Sequence, residues 1–271
     1  MRASLPDGIY MAGHPDFAAV PSRLNGGIIG MKLQKLLSLI RQAVEKYHMI
    51  EEHDRIAVGV SGGKDSMALL YALKELSRFY PKSFDIRGIN VDLGFENTDF
   101  SGVQNFCRQL GVLHSTIHTQ IGQIVMEERK EQNPCSLCAK MRKGALAREA
   151  LRLGCNKIAY AHHKDDYVET MLMSLIFQGQ FYAFPPVTWF EDSGLTVLRP
   201  MMLTEEAQIQ GFCSRYKIPV MKSPCPADGA TKREYVKKLL LQIQREHPGA
   251  KERMFHAITE GNIPDWPRTE L

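Results

Sequence analysis

The sequence predicts an α/β protein with a doubly wound parallel sheet. Apolar β-rich runs alternate with stretches of helical periodicity, several helices close on glycine, and residues suited to chemistry follow the strands. Residues 1–30 are rich in Gly, Pro and Ala without lasting periodicity, and read as a loose leader, as added residues, or as a start upstream of a natural one at Met31. Leu33, Leu36, Leu37, Ile40, Val44 and Tyr47 then share one helical face. A strand is expected over 56–60, a glycine turn after it, and a helix from 67 to about 79. The run 86–91 predicts a second strand ending at Asp92. A helix over 103–110 closes on Gly111, and 113–117 predicts a third strand. Residues 139–153 predict a helix closed by Gly154, 157–161 a further strand, and 166–177 another helix. The main domain is expected over 31–225, with a helical extension over 226–271. Open sheets of this kind bind ligands at the carboxyl ends of their strands. The glycine turn, Asp92 and the His162–His163 pair should therefore gather on one rim.

Composition narrows the class. A chain of 271 residues accommodates one large α/β domain with extensions, and 44% hydrophobic residues suffice for its core. The net charge of +4 is too mild to identify a polyanionic partner by itself. No apolar run approaches the roughly 18 residues of a membrane span. The opening "MRASLPDGIYMAGHPDF" has no continuous apolar core of the signal-peptide kind. Six cysteines without a secretory signal read as reduced thiols. The expectation is a cytoplasmic enzyme with no membrane partner.

The segment "AVGVSGGKDSMALL", residues 57–70, carries the first chemistry. Ser61, Gly62 and Gly63 present backbone N–H groups to an anion, and the following helix adds its positive end. Lys64 supplies a point charge and Ser66 a hydroxyl. The loop that grips β- and γ-phosphates has a wider gap between its glycines and a Ser or Thr directly after the lysine. Here only three residues separate Gly59 from Gly63, and Asp65 follows Lys64. A carboxylate there does not bind phosphate directly but suits Mg²⁺ that does.

Cys135 and Cys138 form a C-x-x-C pair ahead of a basic helix, a pattern shared by zinc, redox and iron–sulfur sites. A second pair is lacking, and Cys225, between prolines, is the third candidate. Three thiolates are one short of a closed four-cysteine site and suit a [4Fe–4S] cluster with one iron open. Cys107, Cys155 and Cys213 read as packed residues. His162, His163, Asp165 and Asp166 follow a strand, where they suit metal, acid–base or helix-capping roles.

"SGGKDS" resembles the PP-loop of ATP pyrophosphatases, which split ATP between the α- and β-phosphates. "CSLCAKMRKGAL", "KIAYAHHKDDYVET", "FPP" at 184–186, "LRPMM" at 198–202 and "IPVMKSPCP" extend the likeness to the tRNA 2-thiocytidine biosynthesis proteins. The resemblance runs from about Met31 to Trp266. It implies ATP, Mg²⁺, a [4Fe–4S] cluster on Cys135, Cys138 and Cys225, a tRNA substrate and a homodimer. The sulfur donor would be sulfide or a cysteine desulfurase. In that reading Ser61 to Ser66 hold pyrophosphate, with Lys64 and Asp65 at the reacting phosphates. Asp92, His162 and His163 contact the nucleotide, and Asp166 and Cys138 take part in the chemistry. Some relatives carry a second cysteine where this chain has Asp228.

Two basic runs flank the cluster cysteines. One holds Arg129, Lys130, Lys140, Arg142, Lys143, Arg148 and Arg152; the other Lys232, Arg233, Lys237, Lys238, Arg245, Lys251 and Arg253. Either a solvated face or an RNA-attracting surface accounts for them. Tyr182, Phe184 and Trp189 suit either base stacking or the core. Three other mechanisms stay open: a persulfide on Cys138 or Cys225, an amine nucleophile of the lysidine type, and a non-catalytic ATP sensor.

Overall fold

The computed structural model describes residues 30–96, 98–128, 134–225 and 231–261. The leader up to residue 29, Arg129, Lys130 and Asp228 lie outside them. The element order is α1 (Leu33–Lys46), β1 (Asp54–Gly59), α2 (Lys64–Leu76), β2 (Phe84–Asp92), α3 (Ser101–Leu110) and β3 (Leu113–His118). A short α4 (Ile121–Gln123) runs into a π-helical turn (Ile124–Glu128), followed by α5 (Pro134–Arg152), β4 (Lys157–Ala159) and α6 (Lys164–Gln178). The hairpin β5 (Val187–Phe190) and β6 (Leu195–Leu198) precedes α7 (Glu206–Arg215), α8 (Lys232–Glu246) and α9 (Ala250–Glu260).

The strands lie side by side as β3-β2-β1-β4-β6-β5. All neighbours are parallel except β5, which returns antiparallel along β6 and forms an edge. The expected sheet is therefore mixed at one side. Its side chains alternate between faces, as pleating requires. Ile56 and Val58 join the larger core under α1, α2, α6 and α7, while Ala57 and Ile158 join a smaller core under α5. Both faces are covered, which is the doubly wound arrangement.

Winding reverses between β1 and β4, and a crevice opens there at the strands' carboxyl ends. α8 and α9 pack on α6, with Leu240, Phe255 and Ile258 buried in the larger core. Among the described residues no helix is long and apolar enough to cross a membrane.

Candidate active site

The glycine loop leaves β1 and enters α2 at Lys64. Gly62 has φ +83°, a left-handed value that glycine adopts without strain. A Cβ there would lie 2.7 Å from Met221 Sδ. Close approach is needed because Met221 donates its N–H to the Gly62 carbonyl at 2.9 Å. That bond lays the segment 221–225 across the loop and brings Cys225 to it. Ser66 fixes the turn from inside: its hydroxyl donates to the Gly63 carbonyl at 2.9 Å and accepts the Ser61 N–H at 3.1 Å. The first amides of α2 lack intrahelical acceptors and carry the helix's positive end.

A cavity of about 560 Å³ opens at this rim, within the roughly 300–1,000 Å³ of small-molecule sites. Ser61, Gly63, Asp65 and Ser66 form its phosphate end, and His162 with Asp166 another wall. Cys135, Cys138 and Cys225 line it together, with Arg142 and Lys143 beside them. One chamber thus unites the loop, the three cysteines and His162. Asp92 is placed elsewhere: its carboxylate accepts the Gly94 N–H at 3.0 Å and meets His118 Nδ1 at 3.0 Å, and it does not line the cavity. Lys64 does not line it either. Its Nζ lies 2.9 Å from Asp65 Oδ2 and 3.1 Å from Glu206 Oε1.

The cysteine pair lies inside α5 rather than ahead of it, because the helix already starts at Pro134. Proline suits a first helical position, where no N–H is required. Positions three apart share a helix face, so both thiols point the same way near the positive helix end. Burial pushes the Cys138 thiol up, Arg142 opposes this, and the neighbouring Cys225 and Cys135 add to it. All three cysteines face the same cavity. Among the described residues no group of three side chains is already drawn into metal-holding geometry. The donor set nonetheless suits an iron–sulfur cluster: three accessible thiols, one chamber and no fourth cysteine beside them. Cys107, Cys155 and Cys213 are buried and take no part, as expected of packed residues.

The histidines diverge in role. His162 stacks on Phe184 with ring centres 4.5 Å apart, and its buried Nδ1 has no hydrogen-bond partner. Burial, helped by Arg199, Arg233 and Lys143, holds its pKa well below the ordinary value, so the ring is neutral. His163 is buried behind the wall. Burial opposes its charge, but Asp165, Asp166 and Asp65 outweigh it and raise the pKa. Asp166 Oδ2 accepts the His163 backbone N–H at 2.9 Å and so caps α6 while facing the cavity. Asp65 Oδ1 is buried without a hydrogen-bond partner, with His163 Nε2 3.8 Å away. A buried carboxylate oxygen left open at the phosphate end fits a Mg²⁺ ligand.

Sequence reasoning missed the acidic–basic network behind the loop. Arg233 Nη1 lies 3.0 Å from both Asp166 Oδ1 and Glu169 Oε2. Lys237 reaches Glu206 at 2.6 Å, and Lys251 reaches Asp165 at 2.8 Å and Glu205 at 2.7 Å. These three cations from the second basic run are engaged internally, whereas Lys232, Lys238, Arg245 and Arg253 are exposed. Lys140, Arg142, Lys143 and Arg148 of the first run are exposed too, two of them at the cavity. Phe184 packs behind the wall residue His162, between it, Tyr167 and the Arg199 guanidinium, 4.9 Å from its ring, while Tyr182 and Trp189 are exposed.

Residues 33–244 match the PP-loop domain family. A tRNA-cytidine(32) 2-sulfurtransferase of Geobacter sulfurreducens is 34% identical over 239 residues, covering 87% of this chain and 92% of the relative. Its counterpart in Pelobacter propionicus is 36% identical over 231 residues, 83% of this chain and 85% of the relative. Among solved structures, the U34-tRNA thiolase NcsA from Methanococcus maripaludis, with its [4Fe–4S] cluster, has a similar fold. The TM-score is 0.71 at 22% identity, over 84% of this chain and 80% of that one. Loop, cavity and sequence agree, and the chain belongs to the PP-loop family, in the branch of the tRNA-cytidine(32) 2-sulfurtransferases.

Proposed function

We infer that the protein is an ATP-dependent tRNA sulfurtransferase that replaces the C2 oxygen of cytidine 32 with sulfur. The observation that carries this reading is the meeting of the pyrophosphate-type loop and three accessible cysteines in one chamber. Sulfur transfer needs both in reach of one base.

The C2 oxygen of the base attacks the α-phosphorus of ATP, a bond to phosphorus forms, and pyrophosphate leaves. The loop amides from Ser61 to Ser66 and Lys64 receive the charge of the departing group. In this reading Asp65 holds Mg²⁺ there, supported by its buried, unpartnered Oδ1, and Asp166 lines the same cavity. The adenylated oxygen becomes a leaving group. A sulfur nucleophile then bonds to C2, the C2–oxygen bond breaks, and AMP carries the oxygen away. The neutral His162 ring forms part of the wall against which the base binds. Cys135, Cys138 and Cys225 are the residues that would hold a [4Fe–4S] cluster, which when bound presents sulfur to the activated carbon. Arg142 and Lys143 at the mouth attract the tRNA phosphates, and Tyr182 is exposed for stacking.

We further propose a cytoplasmic homodimer supplied with sulfur by sulfide or a cysteine desulfurase, built as a PP-loop domain with helical extensions at both ends. Sedimentation of the purified chain tests the dimer. Anaerobic iron and acid-labile sulfide analysis tests the cluster: roughly four irons per chain support it. Thiolation by iron-free protein would replace it with a persulfide on Cys138 or Cys225.

A further inference from the structure

The Lys64 ammonium does not itself line the cavity: it lies between Asp65 Oδ2 at the cavity's edge, 2.9 Å away, and Glu206 Oε1 on α7, 3.1 Å away. Its partner there, Glu206, is shared. One carboxylate oxygen lies 3.1 Å from Lys64 Nζ and the other 2.6 Å from Lys237 Nζ on α8. The carboxylate is held in place by its own backbone: the Glu206 N–H donates to Asp165 Oδ2 at 2.8 Å, and Asp165 is in turn tied to Lys251 on α9. Side chains of Lys64 and Glu206 are only about a quarter exposed, at 22% and 26%.

Phosphates entering the cavity would have to draw Lys64 off Glu206. Leaving a partly buried carboxylate without a cation is costly. Lys237 removes that cost, because Glu206 stays paired after Lys64 has gone. We propose that Lys237 is a positioning residue for the PP-loop lysine: by holding the second oxygen of Glu206, it lets Lys64 turn from α7 to the phosphates of the nucleotide. The C-terminal helix α8 thereby sets nucleotide affinity through Glu206, without touching the nucleotide. This inference rests on the ATP-binding reading above.

The test measures binding of radiolabelled ATP with Mg²⁺ to the full-length protein by equilibrium dialysis, with circular dichroism as the folding control. Lys237 is 38% exposed at its side chain, so Lys237→Met should fold. Lys237→Met is expected to weaken ATP binding about tenfold, equivalent to about 1.4 kcal/mol. Adding Glu206→Gln to it should bring affinity back to within about threefold of wild type, since the trap for Lys64 is gone. Glu206→Gln alone should bind ATP at least as tightly as wild type, an outcome no loss of structure produces. Lys237→Arg should keep wild-type affinity. Equal weakness of Lys237→Met with and without Glu206→Gln would mean that Lys237 meets the nucleotide directly, overturning the inference. Wild-type affinity in Lys237→Met would overturn it as well. A folded wild-type protein that binds no ATP would sink the functional reading itself, and this inference with it.

Discussion

Replacing Glu169 by Gln should change how stability varies with pH. Glu169 is 4% exposed and shares the single Arg233 guanidinium with Asp166, each at 3.0 Å. Burial is the largest influence on its carboxyl; Arg233 pulls the pKa down, Asp166 pushes it up, and the balance is a rise from 4.5 to about 6. The native state therefore holds the proton more tightly than the unfolded chain. The resulting stability is fully present below about pH 4.5 and is lost as pH rises through about 6. A difference of about 1.5 units at 1.36 kcal/mol each gives about 2 kcal/mol as the most this group contributes. Glutamine keeps an acceptor for Arg233 but has no proton to lose. Urea unfolding of both proteins from about pH 4.5 to about pH 7 should show wild type losing up to about 2 kcal/mol relative to Glu169→Gln. A stability difference that does not change with pH would refute the reasoning. A change of opposite sign would show that Arg233 outweighs burial.

Other outcomes follow from the same geometry. Lys64→Ala should cut adenylation about a hundredfold or more while leaving iron content unchanged, measured by pyrophosphate release and iron analysis of the same sample. Cys135→Ala should abolish cluster binding and thiolation while ATP binding persists; full thiolation by this variant would contradict the assigned ligand set. Gly62→Ala places a methyl 2.7 Å from Met221 Sδ at φ +83°. It should lower stability by about 1–2 kcal/mol in a urea titration and weaken ATP binding. Asp92→Asn, whose carboxylate serves the turn to Gly94 and His118, should leave ATP affinity within about twofold.

Much of this site is written locally. The strand, glycine turn and helix around Ser61–Ser66 are contiguous, so periodicity and glycine placement define them without tertiary information. The three packed cysteines were legible for the same reason. The start of α5 was not: Pro134 permits a helix start without announcing one, and Cys135 and Cys138 fell inside the helix. The hairpin of β5 and β6 was not read from the sequence. The second basic run shows what sequence alone withholds. Its charges are plain, but their partners Asp165, Asp166, Glu169, Glu205 and Glu206 come from α6, α7 and the residue before α7. Only the folding of α8 and α9 onto α6 turns a surface-like pattern into an internal network beside Lys64. Asp92 does follow its strand, but its carboxylate turns to Gly94 and His118, because sitting after a strand does not fix which way a carboxylate turns.

The most direct test of the central claim is mass spectrometry of nucleosides from tRNA incubated anaerobically with the iron-loaded protein, ATP, Mg²⁺ and sulfide. The account predicts 2-thiocytidine at position 32 that appears only with ATP, with one AMP and one pyrophosphate formed per thiolated base. ATP consumption by iron-loaded protein without any thiolated nucleoside would contradict it.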